Sequence, residues 1–179
     1  MNFTCFSVKL KMISQSLIEI GILGFALLLD IIGTSIPQWW VISSEHASTN
    51  IGLFQKCRSN GGETSCASFP ERNLQDWMKA VQAMMILSIL VLGGAIGSAI
   101  LFSFKMRDLK QLELLSGVLG AAGAGFAVLG VIIYAAKASD SFPTGGLHAG
   151  FGLAIVSAIF AIVRTVMIFK SRNANDHNV

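Results

Sequence analysis

Four apolar runs constrain this chain more than anything else in it. Residues 17–36, 80–102, 114–136 and 148–169 are each about 20 residues or longer and nearly free of charge. About 20 apolar residues in a helix cross roughly 30 Å of hydrocarbon. The runs therefore predict four transmembrane helices. Composition agrees, since 53% of the residues are hydrophobic and 13% are charged. A soluble domain of this size cannot hide so much apolar surface behind so few charges. One membrane domain over residues 1–179 is expected. The polar lead before the first run superficially resembles a signal peptide. The apolar part is too long for that, and no small-x-small cleavage site follows it. It reads as a first transmembrane helix, ended by Pro37.

Between the first and second runs lies a polar loop, residues 38–77, with two of the three cysteines. Folding 57–66 about Gly61-Gly62 sets Asn60 opposite Glu63, Ser59 opposite Thr64, Arg58 opposite Ser65 and Cys57 opposite Cys66. A two-residue hairpin loop needs φ > 0, which glycine supplies. Counted outward, the cysteines fall on a non-hydrogen-bonded pair, where Cα atoms approach to roughly 4.5 Å. A cross-strand disulfide is the preferred reading. Two free thiols in a loop are the alternative, and a zinc site is disfavoured because no histidine stands at ligand spacing.

A disulfide needs an oxidising compartment, so this loop and the shorter one at 137–147 are expected to face the cell exterior or the secretory lumen. The lead, the 103–113 loop and the 170–179 tail are then cytosolic, with both termini inside a multi-pass plasma-membrane protein. Lysine and arginine placement agrees. Lys9, Lys11, Lys105, Arg107, Lys110, Lys170 and Arg172 stand inside, against a sparser Lys56, Arg58, Arg72, Lys79 and Lys137 outside. Trp39, Trp40 and Trp77 fall at the outer ends of the first two helices, as an aromatic belt would. On this topology the Asn2-Phe3-Thr4 sequon faces the cytosol and is not used. Cys5, near the inner surface, is either S-acylated or a free thiol.

Small residues recur along three of the runs: Gly93 and Gly97; Gly117, Ala121 and Gly125; Gly146, Gly150, Ala154 and Ala158. Such stripes let helix backbones approach closely in lipid. They are expected to pack within one bundle, with packing between protomers as the other reading. Three ionisable residues lie within the runs, where each is costly unless paired or near the surface. Glu19 and Arg164 would either pair across the first and fourth helices or snorkel separately to the headgroups. Asp30 lies deeper, with Gln82 as a candidate hydrogen-bond partner; a proton pathway is disfavoured because no relay of other acids accompanies it.

Enzymatic function finds little support. No Cys-x-x-Cys pair, phosphate loop or catalytic constellation occurs, and His46, His148 and His177 are scattered. No cofactor and no metal site are expected. The net charge of +3 forms no dense basic run, which argues against nucleic acid as a partner.

The motifs together carry a resemblance. Pro37-Gln38-Trp39-Trp40, then Gly52-Leu53-Phe54-x-x-Cys57 and Cys66, resemble the claudin signature of W, then G-L-W-x-x-C, then C. The stretch 77–88, Trp-Met-Lys-Ala-Val-Gln-Ala-Met-Met-Ile-Leu-Ser, is similar to the start of the second helix in peripheral myelin protein and the epithelial membrane proteins. The chain is identified as a member of that superfamily. The resemblance implies a left-handed four-helix bundle bearing a small extracellular antiparallel β-sheet from the two outer loops. Residues 38–70 would supply most strands, a short strand would flank Phe142-Pro143, and residues 71–77 would form a short helix. Trp40, Gly52, Leu53 and Phe54 are the signature positions. Phe54 stands where the signature has tryptophan, and Ala67 leaves the position after the second cysteine uncharged.

The resemblance also implies cell–cell contact, junction formation or a paracellular barrier. Phe142, Pro143, Asn60, Gly61 and Gly62 are candidate adhesion contacts. Phe142 reads equally as an interfacial anchor dipping into lipid. Expected partners are the lipid bilayer, further copies of the chain in cis and in trans, and a cytosolic PDZ scaffold capturing the C-terminal Val179. The alternative is a membrane-organising or auxiliary protein of the myelin and epithelial type, acting on partners in its own membrane.

Overall fold

The computed structural model describes residues 3–44, 47–60, 62–70, 74–104, 110–142 and 144–176, with side chains described within residues 16–170. Four long helices run through it: α1 (Phe3–Ser35), α2 (Asp76–Phe104), α3 (Lys110–Ser141) and α4 (Ala149–Asp176). Each contains a membrane-spanning stretch: Ser16–Ser35, Asp76–Ser103, Gln111–Ser141 and Ala149–Lys170. Their outward faces are apolar, with Leu90, Ile132 and Val166 among the exposed side chains. That is what hydrocarbon solvates best.

The helices run past the apolar runs that predict them. α1 stops before Ile36-Pro37, because a residue preceding proline disfavours the helical region. Residues 137–141 continue α3, and the connector begins only at Phe142, whose N–H still bonds the Ala138 carbonyl at 2.8 Å. The fully buried Ala138 explains that extra turn. Asp76 and Trp77 belong to the first turn of α2, while Leu74 and Gln75 are not helical, so no separate helix stands at 74–77. The Gln75 carbonyl takes the first bonds of α2, from the N–H groups of Met78 at 3.0 Å and Lys79 at 3.2 Å. At the other end, Gly146 is in a strand and not in α4.

α1 packs on α2 and α4, and α3 packs on the same two helices. Small residues set these contacts, although not along every expected stripe. A Cβ on Gly33 would lie 3.1 Å from the Gly150 carbonyl oxygen, so α1 and α4 touch backbone to backbone. Gly150 and Ala154 are buried in that seam, and Ala158 is buried one turn further along α4. On α3 the receiving residues are Gly123, filled by Leu92, and Gly130, filled by Met85. Of the expected α3 stripe only Gly117 is buried; Ala121 and Gly125 are exposed. A Cβ on Gly93 or Gly97 would meet nothing within 4 Å. The α2 stripe is therefore open.

The sheet comprises β1 (Trp40–Ser43), β2 (Ala47–Ile51), β3 (Gln55–Asn60), β4 (Glu63–Ser68) and β5 (Gly146–Leu147), antiparallel throughout in the order β4-β3-β2-β1-β5. Four strands come from the loop between α1 and α2, and the fifth from the connector between α3 and α4. A cluster of Trp39, Trp40, Ile51, Leu53, Met78, Val81, Met85, Val131 and Tyr134 joins the sheet to the bundle. A second cluster around Leu23, Ala26, Leu92, Ala124 and Ala161 fills the bundle's middle.

Candidate functional site: the sheet and its seat on the bundle

The sheet rests on a tryptophan. Trp39 follows the turn at Pro37 and is fully buried. Its indole Nε1 donates to the Gly33 carbonyl at 2.7 Å, which secures the turn out of α1. Its ring meets Tyr134 edge-on at 4.9 Å and Phe151 at 6.2 Å. Gly150 permits this placement, since a Cβ there would lie 2.6 Å from Trp39 Cδ1. The backbone finishes the seat. Gly150 N donates to Gln38 O at 2.8 Å, and His148 N to Trp39 O at 3.1 Å.

The signature residues extend this seat. Trp40 pairs with Ile51 on one side and Leu147 on the other, and its Nε1 donates to the Thr144 carbonyl at 3.1 Å. Gly52 is required by crowding. A Cβ there would lie 2.6 Å from Pro37 Cα and 3.2 Å from the Gln55 carbonyl oxygen, which already accepts Gly52 N–H at 2.9 Å. Leu53 is fully buried in the joining cluster. Its carbonyl accepts Gln82 Nε2 at 2.6 Å, tying the loop to α2. Phe54 points outward at 40% exposure. Where the signature has tryptophan, this chain thus presents an apolar ring to its surroundings.

The hairpin folds in the expected register, with Cys57 opposite Cys66 and Asn60 opposite Glu63. The cysteines are joined as a disulfide, with Cα atoms 4.0 Å apart. Gly62 adopts φ +93°, a conformation that favours glycine. Every residue of β4 is exposed, so β4 is the open edge of the sheet, while β3 stays paired with β2 along its length. Asn60 and Gly62 are exposed at its tip. Phe142 is not beside them. It is half-buried, with its ring 6.3 Å from Trp40. The strands β4 and β5 lie at opposite edges, four strand spacings or roughly 19 Å apart. The candidate adhesion contacts thus form two separate patches. Gly61, Pro143 and Val179 lie outside the described residues, as does the Cys5 side chain.

Register also gathers charge. Lys56 and Arg58 project from one face of β3, opposite Ala67 and Ser65 of β4 and Ile51 and Thr49 of β2. Both are exposed. With Ala67 neutral, that part of the face is cationic.

The intramembrane polar residues take other partners than those expected. Asp30 accepts a hydrogen bond from Ser88 Oγ at 2.6 Å, not from Gln82, whose amide reaches Leu53. Arg164 forms no ion pair with Glu19; the ion pair among the described residues is the exposed Lys79–Asp76, at 3.3 Å. Nor does Arg164 snorkel, being 2% exposed. Its guanidinium donates to Ser116, with Nη1 3.0 Å from the carbonyl and Nη2 2.8 Å from Oγ. Ser116 Oγ in turn donates to the Ala95 carbonyl at 2.8 Å, so one polar chain crosses α4, α3 and α2. Among the described residues no three His, Cys, Asp or Glu side chains gather as a metal site would require.

Sequence reasoning passed over Trp39 as the anchor, Tyr134 beneath it and Ser116 as the arginine's partner. Tyr134 carried a signal, being the chain's single tyrosine and lying within an apolar run. Ser116 carried none.

Four spanning helices, with a disulfide-closed sheet seated on one end by Trp39, Gly52 and Leu53, define a multi-pass membrane protein that presents a small β-sheet domain at its surface. A model of the PMP-22/EMP/MP20/Claudin family matches residues 12–169, and the chain belongs to that family. Comparison with curated proteins gave no match.

Proposed function

We propose that this protein is a claudin-like structural component of cell–cell contacts, acting at the plasma membrane through its sheet. The observation that carries this reading is the β3–β4 hairpin at the open edge of the sheet. It is closed by a disulfide, anchored at its base and fully exposed along β4. A rigid surface loses little conformational freedom when it meets a partner. The disulfide supports an oxidising exterior for the sheet, and both ends of the four-span chain would then face the cytosol. Copies in one membrane would assemble side by side, a PDZ scaffold would hold Val179, and sheets of opposed cells would meet. Phe54 and the hairpin tip supply apolar and polar contact surface respectively. The protein acts by contact and catalyses no reaction.

A mixed culture tests this. Tagged protein is expressed in cells that make no junction proteins of their own and grown beside non-expressing cells. The reading predicts enrichment only at borders between two expressing cells. A uniform surface distribution contradicts it.

One observation favours a second reading, a membrane organiser acting within its own membrane. Gly93 and Gly97 leave an open small-residue face on α2, and a cavity of about 460 Å³ opens between α3 and α4 beside Ala121, Gly125 and Ile162. Such faces suit close approach by a partner helix. Co-purification of one membrane partner by the uniformly distributed protein would favour this second reading.

A further inference from the structure

Two buried oxygens near the sheet end of α1 have no protein partner. Asp30 is fully buried, and Ser88 occupies its Oδ2 while Oδ1 bonds nothing. Thr34 is 4% exposed, and its Oγ1 also bonds nothing. Residues four apart stack on one helix face, with Cβ atoms about 5–6 Å apart. That is about twice a hydrogen-bond length, so a single oxygen between the two side chains reaches both. Asp30 meets α2 at Ser88, and Thr34 stands one turn further along the same helix face.

Leaving such groups unmade is costly, and hydrocarbon offers nothing to satisfy them from outside. Buried polar groups that lack protein partners are normally served by ordered water. The Ser88 hydroxyl gives its proton to Asp30 and keeps lone pairs for a further contact. Three side-chain oxygens suit a water, which makes two to four bonds. They fall short of the six or more ligands that a hard cation such as Ca²⁺ takes.

We propose that Asp30, Thr34 and Ser88 form a binding site for one buried water molecule, which bridges Asp30 Oδ1 and Thr34 Oγ1 and closes a polar clasp between α1 and α2. Thr34, which no motif singled out, is then a working part of the bundle.

The test uses the full chain in lipid nanodiscs. Thr34→Val keeps the shape and removes the hydroxyl. The proposal expects Tm to fall by about 2–4 °C. An unchanged or higher Tm overturns it, since a hydroxyl with no partner has nothing to lose. If the variant fails to accumulate, water-edited NMR of the wild-type protein in bilayers decides. Magnetisation must pass from water to the Thr34 methyl faster than to the methyls of Leu23, which is also buried. Equal rates overturn the proposal. So does a Tm that rises with sodium chloride but not with choline chloride, which would assign the site to a cation.

Discussion

Arg164 and Ser116 join α4 to α3 by two hydrogen bonds, at 2.8 and 3.0 Å, inside a membrane-spanning bundle. A buried guanidinium whose partner is removed keeps its desolvation cost and loses its compensation. Ser116→Ala is expected to destabilise the protein by about 1.5–3 kcal/mol, the range for a hydrogen bond to a charged group. Ser116→Ala/Arg164→Met removes both the charge and its need. It is expected to cost less than the two single changes summed. Unfolding titrations in mixed micelles measure this coupling; strict additivity would contradict it.

Trp39 and Gly150 make the seat of the sheet sensitive to one methyl group. Gly150→Ala places a Cβ against the indole and 3.1 Å from the Gln38 carbonyl oxygen. Overpacking of this kind costs roughly 1–3 kcal/mol. Surface delivery and Tm should both fall. Gly152→Ala, two residues along α4, meets nothing within 4 Å and should leave both unchanged. Equal effects at the two positions would refute the seat.

Gln82→Leu takes away the amide that holds the buried Leu53 carbonyl at 2.6 Å. An unsatisfied buried acceptor costs about 1–3 kcal/mol. Hydrogen exchange should rise around Gly52 and Phe69, whose N–H groups bond this same loop, and stay unchanged in the middle of α3.

Cys57→Ser opens a loop of sequence separation 9. Chain entropy predicts a loss of about 3 kcal/mol. The hairpin should become sensitive to protease at β4, while the four spans remain inserted.

How much of this was legible in the sequence depends on whether a feature is local. The hairpin was legible because the Gly-Gly dipeptide in the sequence predicts a two-residue loop, and the register that follows from it opposes Cys57 and Cys66, as observed. The spans were legible from run length. The partner of Asp30 was not. Gln82 lies six residues nearer the sheet end of α2 than Ser88, or about 9 Å at 1.5 Å per residue. Choosing between them requires the vertical offset of α1 against α2, which no spacing within either helix encodes. The same holds for Arg164, whose choice of α3 over α1 is a property of packing. The glycines divide likewise. Gly123 and Gly130 work because Leu92 and Met85 fill them, whereas the regular pair Gly93 and Gly97 faces away from the bundle.

The central claim is that the exposed hairpin makes contact between cells. The most direct measurement compares wild type with Asn60→Lys/Glu63→Lys at borders between expressing cells. Both positions are exposed at the hairpin tip and lie away from the disulfide and the seat. Surface level and disulfide formation are expected to be unchanged in the variant, and border enrichment lost. Enrichment that survives both tip substitutions, at equal surface level, would contradict the account.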